Sequence, residues 1–481
     1  MTPPDPDPDL PGPSTRSVHA TESVDPATRS VNPTTDRFEA KVAALEGAAR
    51  GTSFTTGEMS AAEQAVLDLV AEDALLDLLA DLVAVPTTSA AEGPGQQLAA
   101  DRMAAAGLDV DRWTIDIAAL SQHPAFSAEF DRVDPIGVLG RMGSGQGPTL
   151  LIDGHIDVVP AGTETDWSSP PFTATVSEGR VVGRGTCDMK GGVAAALVAL
   201  DAIRRAGVRL AGTVLLGTVV GEEDGGSGTL ALLQHLRAAG VQPDGCLIPE
   251  PTHLAVVPAA AGALSWRITV RGQSAHGCLR EEGVSAIERF AVVHAAVLAL
   301  EQRRNQRTAD PLFGWLDRPF AICGGRIEGG DWPSSECDWL TWEGRYGVAP
   351  GEDLTAARGQ LEQAVSDACA TDPWLAVHPA TVEWWGGQFL PGATPADAVI
   401  VGTATQAATA VLGRAPLVRG MPYGCDLGLT LNVGGIPTVV FGPGDIRDAH
   451  RPDESVAVAD LVTAARTIAL IAMRFCGVRS A

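Results

Sequence analysis

Leu150-Leu-Ile-Asp-Gly-His155-Ile-Asp157 joins a short apolar run to a histidine and an aspartate two positions apart. A run this short, from Thr149 to Asp153, reads as one buried strand and not as a helix. The arrangement recurs three times downstream. Gly212 to Val220 leads into Glu222-Glu223-Asp224, Gly245 to Ile248 into Pro249-Glu250-Pro-Thr252, and Thr438 to Phe441 through a glycine-rich loop to His450. Helical patterns at Gln96 to Ala106, Gly192 to Ala206 and Thr229 to Ala239 lie between these strands. Apolar strands alternating with helices predict an α/β fold, a parallel or mixed sheet flanked by helices. Such folds build their sites on the loops leaving the carboxyl ends of strands. Here those loops carry the imidazoles and carboxylates.

Working outward, the texture changes at Gly262. Leu264-Ser-Trp-Arg-Ile-Thr-Val270 alternates like a half-exposed strand. A helix from Ser285 to about Arg303, strands near Phe320 to Gly325 and Leu340 to Gly344, a helix at Asp353 to Ala370 and a strand at Thr381 to Trp385 follow. That β-α-β-β-α-β order predicts a compact α+β module inserted into the main domain. Upstream, Phe38 to Ala49 is a short helical pattern. Ser60-Ala-Ala-Glu63 is a capping box that opens one long helix with Val66, Leu69, Val70, Leu75, Leu78, Leu79 and Leu82 on its apolar face, ending before Pro86. Residues 1–35 hold eight prolines and almost no large apolar side chains, a composition that reads as a disordered acidic tail. The expected division is a tail over 1–35, the main domain over 36–262 and 391–481, and the insertion over 263–390.

Composition removes several function classes. The 481 residues carry 34 Lys plus Arg against 59 Asp plus Glu, a formal net charge of −25, which repels nucleic acid and anionic membranes. No apolar stretch approaches the ~20 residues of a membrane span. Eight cysteines without a C-x-x-C pair are too dilute for a disulfide framework, and the N-terminus lacks the apolar core of a secretion signal. Both features fit a cytoplasmic protein.

Five segments concentrate chemistry. In an extended chain His155 and Asp157 project to one side, and a nearby carboxylate commonly orients a metal-binding imidazole. Gly183-Arg-Gly-Thr-Cys-Asp188-Met-Lys-Gly-Gly192 lacks the last glycine of a dinucleotide loop, and no G-K-[ST] occurs, so its glycines serve tight turns around Asp188. Glu222, Glu223 and Asp224 follow a buried strand, where adjacent carboxylates repel unless they share a cation or proton. Glu250 sits between prolines, and His450 lies beyond the last glycine-rich loop. Together His155, Asp188, one glutamate of the pair, Glu250 and His450 form a mixed N/O set suited to zinc and compatible with cobalt or manganese. One bridging carboxylate would let them hold two ions.

In order along the chain, GHIDVVP, GRGTCDMKGG, GEEDGGSGT, PEPT, GQSAHG and GPGDIRDAH closely resemble the M20 metallohydrolases, over roughly residues 70–475. Within that family the pattern is most similar to the acetylornithine deacetylase and succinyl-diaminopimelate desuccinylase group. The resemblance implies a zinc-hydrolase domain with a ferredoxin-like lid and dimerisation module. It implies that His155 and Glu250 hold one zinc, that Glu223 and His450 hold the other, and that Asp188 bridges them beside a cis peptide to Met189. Asp157 would orient His155, and Glu222 would act as general base. His276, in the inserted module, would reach the partner subunit's site and stabilise the developing oxyanion, which makes the protein a homodimer.

The chain departs from the family pattern at two points and matches it at a third, Gly424-Cys-Asp426. Gly283-Val-Ser285-Ala286 stands where the family often has Gly-Val-Asn-Ala. Glu343-Gly-Arg345, with Pro350, leaves Arg345 as a candidate carboxylate clamp. Asp426, in Gly424-Cys-Asp426, is a candidate pocket residue. The expected function is removal of an N-acyl group from a small amino-acid-like substrate. The alternatives are a dipeptidase or carboxypeptidase, and a non-catalytic binding protein that retains the fold.

Overall fold

A computed structural model describes residues 59–479 apart from 89, 134 and 307–309. The expected tail and the Phe38 to Ala49 helix lie outside the described residues. No described helix is long and apolar enough to cross a membrane.

The main sheet is mixed. Its order is β1 (Asp109–Thr114), β2 (Ile136–Gly143), β6 (Thr213–Val219), β3 (Thr149–His155), β7 (Gly245–Ile248), β15 (Thr438–Val440), β8 (Val256–Ala260) and β13 (Gly392–Ala393), with β14 (Val418–Met421) also pairing β8. The four strands read from the sequence occupy its centre and are mutually parallel. β3 pairs with β6 and β7, and β15 with β7. Their carboxyl ends therefore emerge along one edge, with His155 level with Val219 and Val440 level with Ile248. Every residue of β6 is buried, as expected for a strand covered on both faces. On β3, Leu150 and Ile152 enter one core with α4 (Lys190–Arg205) and α10 (Val458–Cys476), while α5 (Ser227–Ala238) places Leu232 against Gly217 on β6.

The long N-terminal helix expected from Ser60 is two helices. The capping box forms, since Ser60 Oγ accepts from the Glu63 amide at 3.2 Å and Glu63 Oε2 accepts from the Ser60 amide at 2.7 Å. The helix ends at Asp68 (α1, Ala61–Asp68), and α2 spans Glu72–Val83. The five-residue step from Val70 to Leu75 would rotate the apolar stripe by about 140° on one straight helix. Breaking the chain at 69–71 returns Val66, Val70, Leu75, Leu79 and Leu82 to one core.

The insertion folds as read. A four-stranded antiparallel sheet runs β10 (Ile322–Gly329), β11 (Trp339–Val348), β9 (Gly262–Arg271) and β12 (Thr381–Phe389). This is the ferredoxin-like order. Helices α6 (Ala286–Gln306) and α7 (Leu354–Ala370) share its core, where Trp266, Ile268 and Val270 meet Val293, Val297, Leu361 and Val365.

A third sheet joins β4 (Thr175–Ser177), β5 (Arg180–Val182) and β16 (Ser455–Ala457). Although small, it fastens the segment before Asp188 to the segment after His450.

Candidate metal centre

The parallel edge delivers four of the five expected ligands. His155 ends β3, while Glu223, Glu250 and His450 lie on the loops after β6, β7 and β15. Asp188 comes from the turn before α4, across a cis peptide to Met189. Two glycines of that segment have a steric reason. Gly185 takes φ +82°, and a Cβ on Gly192 would lie 1.9 Å from the Pro249 carbonyl oxygen, so only glycine lets α4 approach the strand end bearing Glu250.

Asp188 stands between the two histidines. Its Oδ1 lies 3.1 Å from His155 Nε2 and its Oδ2 lies 3.2 Å from His450 Nε2. Glu250 Oε1 is 3.3 Å from His155 Nε2, and Glu223 Oε2 is 3.1 Å from His450 Nε2. Glu222 is the further carboxylate, 3.9 Å from His155. Ligand atoms of His155, Glu222 and Glu250, and of His155, Asp188 and Glu223, lie within 4.8 Å of one another. His155, Asp188, Glu222 and Glu250 are buried, Glu223 is half-buried, and the His450 side chain is half exposed at the open rim.

The tautomer of His155 follows from its contacts. Nδ1 faces the Asp157 backbone carbonyl at 2.9 Å, and a carbonyl can only accept, so Nδ1 carries the proton and Nε2 is free for a metal. The orienting contact expected from the Asp157 side chain is thus made by its main chain. The carboxylate stands 3.7 Å from Nδ1 and accepts the Glu223 amide at 3.1 Å instead.

Four carboxylates and two imidazoles in one buried nest carry more negative charge than the nest can solvate. Burial raises Glu250 to about 8, with Asp188 adding to the shift, and raises Glu223 as well. Burial also lifts Glu222 well above the usual carboxylate range; His155 opposes this, and Asp426, Glu250 and Glu223 reinforce it. Burial alone would lower His450, but Glu223 and Asp188 beside it lift it to about 11. Asp188 is held well below its ordinary value, because His155 and His450 outweigh its burial. Glu250 and His450 thus retain protons that divalent cations would displace, and the donor set fits such ions.

Three expected site residues stand elsewhere. His276 is exposed in the insertion, where its Nδ1 accepts the Cys278 amide at 3.2 Å. Arg345, on β11, donates to the Pro422 carbonyl at 2.7 Å, and burial lowers its pKa. Asp426 is buried and makes none of the ligand contacts above; the Thr229 hydroxyl lies 2.6 Å from its Oδ2 and 2.9 Å from Asp153 Oδ2. One hydroxyl proton cannot serve both carboxylates, so one of them is protonated, and burial raises Asp153 to about 7 and Asp426 to about 8.

Residues the motifs did not reveal complete the setting. Asp224, the third of the consecutive acids after β6, pairs with Arg132 and with neither histidine of the centre. Its two oxygens accept from Arg132 Nη2 and Nη1 at 2.9 and 3.0 Å, and Glu92 takes Arg132 Nε at 3.1 Å. Tyr423 donates to the Pro251 carbonyl at 3.2 Å, beside Glu250. Only Asp224 had a local signal, its position after a buried strand. The Cys187 thiol is buried and pushed well up, consistent with packing and not nucleophilic attack.

The profile of Peptidase family M20/M25/M40 matches residues 151–474, which span the whole of this edge and the insertion. The chain belongs to that family. It is therefore a hydrolase of amide-type C–N bonds. Among M20 relatives, a succinyl-diaminopimelate desuccinylase of Methylorubrum extorquens is 31% identical over 402 residues, covering 80% of this chain and 94% of the relative. An N-formyl-4-amino-5-aminomethyl-2-methylpyrimidine deformylase of Halalkalibacterium halodurans is 28% identical over 439 residues, covering 85% and 96%. The solved structure of human carnosine dipeptidase 1 has the same fold, with a TM-score of 0.68 at 16% identity, covering 87% of this chain and all of that one (100%).

Proposed function

We propose that this M20 protein is a two-metal deacylase, with zinc as the native ion and cobalt or manganese as substitutes, that cleaves the amide of an N-acyl amino acid or a related small substrate. The observation that carries the reading is the division of Asp188 between His155 and His450, with Glu250 and Glu223 completing the two halves. A bound metal pair would supply the Lewis acidity that lets a water ionise at a pH of ~7. His155, Glu250, Asp188, Glu223 and His450 would hold that pair.

Glu222 is left to move protons. Its carboxylate is buried, next to the ligands and 3.9 Å from the nearer imidazole, while Glu223 is taken up by His450. Glu222 takes the proton from the attacking water, and the oxygen adds to the amide carbon. It then delivers that proton to the leaving nitrogen as the C–N bond breaks. Cations beside Glu222 would counter the burial that raises its pKa.

The insertion over 263–390 is proposed as lid and dimer interface. His276 from one subunit would then stabilise the oxyanion in its partner's site. Its exposure, and the absence of a metal-site partner for it among the described residues, support this assignment. Arg345, half-buried and bonded to the Pro422 carbonyl, is proposed to take a substrate carboxylate.

The test is metal removal and restoration across a panel of N-acyl amino acids and dipeptides, with Glu222→Ala in parallel. The expected result is metal-dependent release of acyl groups, lost in Glu222→Ala while about two ions per subunit remain bound. Preferential cleavage of dipeptides would replace the deacylase reading with a peptidase one. A metal-loaded protein inert to the whole panel and indifferent to Glu222→Ala would favour a binding role.

A further inference from the structure

Asp188 can serve both halves of the centre only if the peptide carrying it is held at a fixed angle. The amides of Cys187 and Asp188 precede α4, so the helix gives them no acceptor. Both donate to a single atom, Glu454 Oε1, at 3.0 and 3.1 Å. The other oxygen of that carboxylate takes Arg184 Nη1 at 2.5 Å. Glu454 is fully buried and Arg184 nearly so, and the Arg184 guanidinium also lies 5.1 Å over the Trp167 ring and donates to the Pro160 carbonyl at 3.2 Å.

The backbone of Glu454 is bound to the same turn. Its carbonyl accepts the Gly183 amide at 2.9 Å, and the next residues pair in register, Ser455 with Val182 and Val456 with Val181. Glu454 also lies four residues beyond His450. One side chain thus fastens the main chain of the shared aspartate to the segment bearing the outer histidine.

We propose that Glu454 is a positioning residue of the metal centre, its carboxylate orienting the Cys187–Asp188 main chain so that Asp188 offers one oxygen to each half. This rests on the metal-centre reading above. Arg184 places its charge against this carboxylate, which has zero exposure. Outer carboxylates of this kind typically change metal affinity by about 10–100-fold when removed.

The experiment is titration of Zn²⁺ into metal-stripped protein against a chromophoric chelator. It compares wild type, Glu454→Ala, Glu454→Asp and the double variant Glu454→Gln/Arg184→Met. The double variant keeps an acceptor oxygen for both amides without setting an amide NH2 against a guanidinium. Glu454→Ala should bind about 10–100-fold more weakly than wild type, and the double variant should recover most of that loss. A purely structural role would lower the melting temperature of the stripped protein and leave the affinity of the folded fraction unchanged. That result overturns the proposal, as does a double variant as weak as Glu454→Ala. If Glu454→Ala does not fold, Glu454→Asp takes its place, because one methylene less withdraws the acceptor; affinity equal to wild type then overturns the proposal. Wild type that binds no Zn²⁺ would overturn the metal-centre reading itself.

Discussion

Replacing Arg132 with methionine tests whether the carboxylate loop is held from behind by one buried cation. Arg132, Glu92 and Asp224 have side chains 3%, 4% and 3% exposed, and three guanidinium nitrogens lie 2.9–3.1 Å from their acceptors. Asp224 Oδ2 also accepts the amides of Glu129 and Phe130 at 3.1 and 3.0 Å, so the loss would reach the loop that carries Arg132. Removing one partner of a buried ion pair costs about 3–5 kcal/mol, because the remaining charge has no compensation. For a folded unit of about 420 residues the unfolding entropy is about 0.9 kcal/mol/K. Arg132→Met should therefore lower the melting temperature by about 3–6 °C, read by calorimetry on metal-free protein so that bound ions do not mask the loss. Turnover should fall with it, since the same loop bears Glu222 and Glu223. The triple variant Arg132→Met/Glu92→Gln/Asp224→Asn removes the stranded charges and should recover most of the stability. A shift below about 1 °C in the single variant, or no recovery in the triple, would refute the reasoning.

Three further outcomes are expected. Metal binding should release protons, because in metal-free protein Glu250 (about 8) and His450 (about 11) are protonated at neutral pH and must give up protons to bind. Apparent affinity should thus rise from about pH 6 to 8 and fall on acidification. Titration calorimetry in buffers of different ionisation enthalpy measures the release, and an unchanged heat would contradict it. Thr229→Val should destabilise the protein by about 1–3 kcal/mol in urea unfolding, because Asp153 and Asp426 lose the hydroxyl between them; neutrality would show that the two acids need no mediator. His276→Ala should lower turnover with metal retained, and mixing it with Glu222→Ala should restore part of the activity if sites are shared between subunits. Failure of mixed dimers to recover would count against sharing.

Much of the architecture is legible along the chain because its signals are local. Short apolar runs ending in His155, Glu222-Glu223, Glu250 and the loop to His450 mark buried parallel strands. The alternation from Leu264 to Val270 marks a sheet with one face open. The split at 69–71 shows the limit of such reading. No proline or glycine announces it, and only the five-residue step between Val70 and Leu75 hints that two helices share one core.

By itself the sequence determined which residue types would meet at the sheet edge, since a parallel sheet must deliver its strand ends together. Tertiary structure alone decided how those residues divide the work. Glu222, Glu223 and Asp224 are consecutive acids, yet one stands beside His155, one faces His450 and one is bound to Arg132 from a distant loop. The carbonyl of Asp157, not its carboxylate, aligns His155, and Glu454 holds Asp188 from 266 positions away. The reason is electrostatic. A buried charge is stable only beside its partner, and that partner is chosen by the packing of segments far apart in the chain.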